Sequence, residues 1–273
     1  MPAIPLSPDF KVAFKLLLKA RFLVFSFWLA VFLSICVILA AQFSARQPAT
    51  VALGVGLSVI RLALPLLAVL MLQELLTREF ERKFFLISIT YPRQRRRFLI
   101  GRFSAITAFL LALLSVLAVV LASLVSVIAA EGFVQSTPVA LDHRYLMTIA
   151  FIAVDVGVIV AMGTLIAVTA VTPSFVLIGT LGFMLAARSF APIVALLTRD
   201  SSLVSEAQTY RSSLDLLGYL LPDLSALDVR MIALYGQMSF LPPDWFVRLL
   251  SVCIYGVGLV VLAVWALNRK RFA

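Results

Sequence analysis

Six long apolar runs alternate with short polar stretches along the chain. They cover about 22–41, 51–72, 98–128, 145–171, 175–197 and 246–267. Each reaches the ~20 residues that an α-helix needs to cross a bilayer. The third is longer than that, which predicts a tilted helix or one that extends beyond the bilayer. Two further stretches are amphipathic. At the start, Ser7, Pro8 and Asp9 suit a helix N-terminus, with Lys11, Lys15 and Lys19 on one face and Phe10, Phe14 and Leu17 on another. This predicts a helix lying in the membrane surface. The run at 22–41 that follows is too long for the core of a typical secretory signal. The second stretch covers 199–245. Leu214, Leu217 and Leu221 share a face, Pro222 interrupts it, and Leu224, Leu227 and Met231 resume it before Pro242 and Pro243. It is too polar to span and too apolar for a free linker, which predicts two short helices lying on the outer face. The predicted fold is therefore an all-α membrane protein, a single domain over 1–273. It has six transmembrane helices, an N-terminal interfacial helix, a short helix between spans 2 and 3, and amphipathic external helices between spans 5 and 6.

Composition removes the soluble alternative. The chain is 63% hydrophobic and its mean hydropathy is +1.09, too little polar surface to cover a soluble core. The net charge of +10 would point to nucleic acid in a soluble protein. Here the basic residues flank the apolar runs, so anionic lipid headgroups and an acidic protein surface are the expected partners, and no nucleic acid. Lys11, Lys15, Lys19, Arg21, the basic loop after the second run, and Arg269, Lys270 and Arg271 fall on one side. Arg46, Arg144, Arg199, Arg211, Arg230 and Arg248 fall on the other. The excess places both termini in the cytoplasm. Cys36 and Cys253 lie in apolar runs and read as small core residues. Gly182 and Ala186 form a small-xxx-small pair that would allow close helix packing.

Three charges stand deep inside the runs, well away from their ends: Arg61, Asp155 and Arg188. Counted from the run ends, all three lie roughly 15 Å below the outer surface, at ~1.5 Å per residue. A lone charge there costs at least ~2.5 kcal/mol, so pairing or a wet cavity is expected. The tight turn Thr172-Pro173-Ser174 sets the fourth and fifth spans side by side, which pairs Asp155 with Arg188. Arg61 is then a third member or a cation facing a path for an anionic headgroup. A polar clamp holding the bundle together is the plainer reading.

The densest charge lies at 74–103, ELLTREFERKFFLISITYPRQRRRFLIGRF. An apolar cluster from Phe84 to Ile89 follows the charges, and Tyr91-Pro92 stops the helix. Here the chain resembles the permeases of ABC-2 type transporters. The family's first cytoplasmic loop reads Glu-Arg-Gly-Thr, a short apolar helix, Pro, Ser-Arg, then Gly-Lys at the third span. Glu81-Arg82, Pro92, Arg95 and Gly101-Arg102 fall at matching spacings, while Lys83 and Phe84 depart from Gly-Thr. The plainer reading is a positive-inside loop with an interfacial helix.

The resemblance implies that this loop holds a coupling helix docked on an ATPase subunit, with Glu79, Glu81, Arg82, Phe84, Phe85, Tyr91 and Pro92 at the contact. It implies a permease subunit of an ATP-driven exporter in a bacterial inner membrane. A second copy or a paralogue would complete it, a periplasmic partner could meet the outer segment, and external helices before the last span are typical. The chain has no Gly-x-x-x-x-Gly-Lys-Ser/Thr loop, so ATP and Mg belong to the partner ATPase and no cofactor to this chain. It is not read as an enzyme: there is no nucleophile elbow or metal-holding acid cluster, and His143 with Asp142 alone makes no metal site. The alternative is a membrane scaffold or sensor that binds a partner through the same loop. A secondary transporter is weaker, because no internal repeat is evident.

Overall fold

The computed structural model describes residues 8–19, 21–44, 46–77, 95–130, 139–170, 172–199 and 221–269. All regular structure among them is helical. Helix α1 (Pro8–Lys19) carries its lysines outward and buries Ala13 and Leu17. Phe10 and Phe14 stack at 5.8 Å, and Phe14 meets Phe109 at 6.4 Å. The amphipathic face is therefore covered by protein, by the helix that begins at Arg95. Gly101 explains how the two approach. A Cβ there would stand 2.9 Å from Asp9 Cβ and 3.3 Å from the Asp9 carbonyl carbon. Only a residue without a side chain lets α1 cross so closely. The chain leaves α1 through Arg21, whose φ of 61° is left-handed.

Among the described residues, five helices are long and apolar enough to cross a membrane. They are α2 (Phe22–Phe43), α3 (Pro48–Leu72, continued by a π turn at Gln73–Thr77), α4 (Arg95–Ala130), α5 (His143–Thr169) and α8 (Trp245–Arg269). The chain is a multi-pass membrane protein. Helix α6 (Pro173–Arg199) carries an apolar stretch over Pro173–Ser189. Helix α4 is 36 residues long, about 54 Å at 1.5 Å per residue, well beyond a ~30 Å hydrocarbon core. Its first turns are the ones that α1 covers.

The centre of the bundle is α3 and α5. Leu53, Leu57, Ile60, Leu64 and Leu67 of α3 and Ile152, Val156, Ile159 and Val160 of α5 are buried. Helices α2 and α8 are peripheral and expose large side chains, among them Phe27, Trp28, Phe32, Val257, Val261 and Trp265. Such surfaces suit acyl chains or another apolar helix. Gln73 Nε2 donates to the Pro173 carbonyl at 3.0 Å, tying the end of α3 to the start of α6. The pair Gly182 and Ala186 faces outward. A Cβ at Gly182 would meet nothing within 4 Å, so among the described residues no helix packs closely there.

The segment before α8 departs from the sequence reading. Its described part holds a 3-10 turn (Ser225–Leu227), a short helix α7 (Arg230–Tyr235) and a second 3-10 turn (Met238–Phe240). It does not lie flat on the end of the bundle. Leu224, Leu227, Val229 and Ile232 are buried and pack with α5 and α6 residues such as Phe151, Ile159 and Phe183. The Leu224 N–H donates to the Ala187 carbonyl at 3.2 Å, far along α6, and the Ala140 N–H donates to the Ala233 carbonyl at 3.1 Å, just before α5. The chain thus sits deep at Leu224 and climbs back toward the end of the bundle that holds the α4–α5 connection. Of the predicted apolar face, Leu224 and Leu227 are buried against the bundle's own interior, Met231 is exposed, and Leu214 and Leu217 lie outside the described residues.

Candidate functional site

The deep end of this segment meets the three intramembrane charges. Arg61 lies on α3, Asp155 on α5 and Arg188 on α6. From Pro48 to Arg61 the distance along α3 is about 20 Å, so the site is well inside the bundle. Asp155 is fully buried. Its Oδ2 accepts from Arg188 Nη2 at 2.6 Å and from Arg61 Nε at 3.4 Å. The structure therefore brings all three predicted residues together, with Arg61 as a member of the cluster.

Two groups hold Arg61 from the other side, and the sequence reading assigned neither of them to it. Asp228 Oδ2 forms an ion pair with Arg61 Nη1, and the Leu224 carbonyl accepts from Arg61 Nη2 at 3.0 Å. Asp228 Oδ1 reaches Arg230 Nε at 3.2 Å. Arg230 Nη1 donates to Ser58 Oγ at 2.6 Å, and Ser58 in turn donates to the Gly54 carbonyl at 2.7 Å. A continuous polar chain thus runs from Arg188 through Asp155, Arg61, Asp228 and Arg230 to Ser58. It joins α6, α5, α3 and the segment before α8.

Backbone chemistry explains one contact. Pro65 has no N–H, so the Arg61 carbonyl four residues earlier loses its helical donor. Arg188 Nη2 donates to that carbonyl at 3.2 Å. The proline thus leaves a polar group inside an apolar helix, and an arginine from another helix satisfies it. The sequence offered this signal, since Pro65 follows Arg61 by one helical turn. Charge balance offered another: Arg61 and Arg188 against Asp155 alone leave one cation unmatched, which calls for a second acid. Asp228, set between Leu227 and Val229, fits that need.

The cluster is not closed. Asp155 Oδ1 and Arg188 Nε are buried and meet no hydrogen-bond partner among the described residues. Hydrogen-bonding capacity therefore remains at the deepest point of the site. At the shallower end Arg230 is 40% exposed. Among the described residues no group of His, Cys, Asp and Glu could hold a metal ion.

The other predicted site residues, Glu79, Glu81, Arg82, Phe84, Phe85, Tyr91 and Pro92, lie outside the described residues. What is described flanks them: the π turn at Gln73–Thr77 on one side and the start of α4 on the other. Arg102, the last residue of the loop motif, is buried and lies over the Phe98 ring at 5.0 Å. No family model matches the chain, and no curated protein matches it either.

Proposed function

We propose that this chain is the membrane permease subunit of an ATP-driven transporter, an exporter whose ATPase is a separate chain. In this reading α6 is the sixth crossing, both termini face the cytoplasm, and a second permease completes the pathway. The observation that carries a transport role is the ionic chain from Arg188 to Ser58, set halfway along three apolar helices and completed by non-helical backbone. Charge at that depth marks a functional site by default, and irregular backbone persists there only when buried in protein or lining a cavity. A simple anchor requires neither. The link to ATP rests on the sequence of the loop at 79–102 and its resemblance to permease coupling loops.

In the proposed cycle the ATPase pushes the loop, the push passes along α3 and α4, and the segment at 221–235 shifts against the cluster. Purification from native membranes tests this. The wild-type chain should retain a nucleotide-binding subunit. Phe84→Ala combined with Phe85→Ala should lose it while the permease still inserts, since aromatic anchors contribute on the order of 2 kcal/mol each. Failure of any ATPase to co-purify with the wild type would contradict the proposal and favour a scaffold.

A further inference from the structure

Beside the ionic chain runs an open groove of about 580 Å³. One wall is a face of α3 that includes Val51, Val55, Ser58 and Leu62, and the other is α7 with Arg230, Leu234 and Tyr235. The volume lies in the range of small-molecule sites, roughly 300–1,000 Å³. Val51 and Leu62 are well exposed, so the groove opens sideways from the bundle, toward lipid in a membrane. Arg230 and Ser58 form its polar spot. From Pro48 to Ser58 the distance along α3 is about 15 Å, which puts that spot below the interface rather than at it.

Charge states what the groove requires. Arg61, Arg188 and Arg230 are joined to Asp155 and Asp228 in one connected cluster. Among the described residues three guanidiniums face two carboxylates, an excess of one positive charge. The inner members are nearly sealed, with Arg61 at 13% and Arg188 at 17% exposure. The excess is therefore reachable at Arg230, which is 40% exposed and opens into the groove. A guanidinium in apolar surroundings without its full complement of anion is costly, and a phosphate is a good planar-fork partner for it.

We propose that this groove binds an anionic phospholipid, with the phosphate on the Arg230 guanidinium and an acyl chain along the α3 face. The open side admits the chain from the bilayer, and the apolar wall supplies its contact. The site rests on the membrane placement of the chain and not on the ATP-driven reading, so it stands or falls independently of ATPase co-purification.

The test uses the full chain in phosphatidylcholine nanodiscs doped with a photoactivatable phosphatidylglycerol. Cross-links should map to 51–62 and 230–235. Unlabelled phosphatidylglycerol should compete, whereas added phosphatidylcholine or inorganic phosphate should not. Arg230→Gln should lower the yield about tenfold. Val55→Trp, which fills the groove and leaves every ion pair in place, should lower it by a similar factor. Arg230→Lys should keep more of the labelling than Arg230→Gln. Equal labelling by a phosphatidylcholine probe, or unchanged labelling in Arg230→Gln, would overturn the proposal. So would competition by inorganic phosphate alone, which would mark a site for a free anion. Labelling confined to the monomeric fraction would assign the groove to a second copy and overturn it as well.

Discussion

Arg61 and Arg188 sit midway along apolar helices, whereas Arg96 and Arg97 stand in the first turn of α4 with exposed side chains. The inner pair is fixed by groups far away in sequence: Asp155 and Arg188 are 33 positions apart, and Arg61 and Leu224 are 163 apart. The place of the outer pair follows from a local property, its position beside an apolar run. One amino acid thus serves two purposes. At the end of a helix it marks a boundary. In the middle it forces distant segments to meet, because only their carboxylates and carbonyls can neutralise it. In this chain that demand draws 221–235 into the bundle.

The contrast predicts a hierarchy of substitutions. Asp155→Asn should be the most damaging, lowering stability by about 3–5 kcal/mol, because Arg188 would be left buried on a neutral amide and Arg61 would keep only Asp228 as an anion. Thermal unfolding of the detergent-solubilised chain measures this. Adding Arg188→Gln should restore part of the loss, and strict additivity of the two would remove the pair from the account. Gly101→Ala comes next. Its methyl group would press on the Asp9 backbone, at a cost of about 1–3 kcal/mol if α1 resists displacement. Proteolysis of α1 should then become faster, and an unchanged rate would place α1 elsewhere. Arg97→Gln should matter least, within about 0.5 kcal/mol. A larger effect on unfolding would show that the outer arginines are also structural, and the contrast would collapse.

Much of this arrangement was legible in the chain and some was not. The apolar runs set α2 to α6 and α8 within a few residues, because length and hydropathy are local properties. That Arg61, Asp155 and Arg188 share one level of the bundle was legible for the same reason, and the short turn at Pro173 brought α5 and α6 together. The partner of Arg61 was not. Asp228 lies in a stretch whose polarity argued for an outer surface, and no periodicity reports that a segment folds inward. Its burial follows from a non-local need, the second acid, which appears only when the charges are counted as a set. Gly101 is similar. Its place in the loop motif was readable, but the cause is the crossing of α1, a contact between segments far apart in the chain.

The most direct test of the central claim is thiol accessibility at Ile232. This residue is fully buried on α7, while Gln237 nearby is exposed. In a chain with Cys36 and Cys253 replaced by alanine, Ile232→Cys should resist a membrane-impermeant maleimide and Gln237→Cys should react. Adding Asp228→Asn loosens the hold on Arg61 and should raise the Ile232→Cys rate about tenfold, the factor that 1.4 kcal/mol of local opening provides. Equal and rapid reaction at both positions, with no response to Asp228→Asn, would show that the segment lies on the surface and that the buried charges do not hold it.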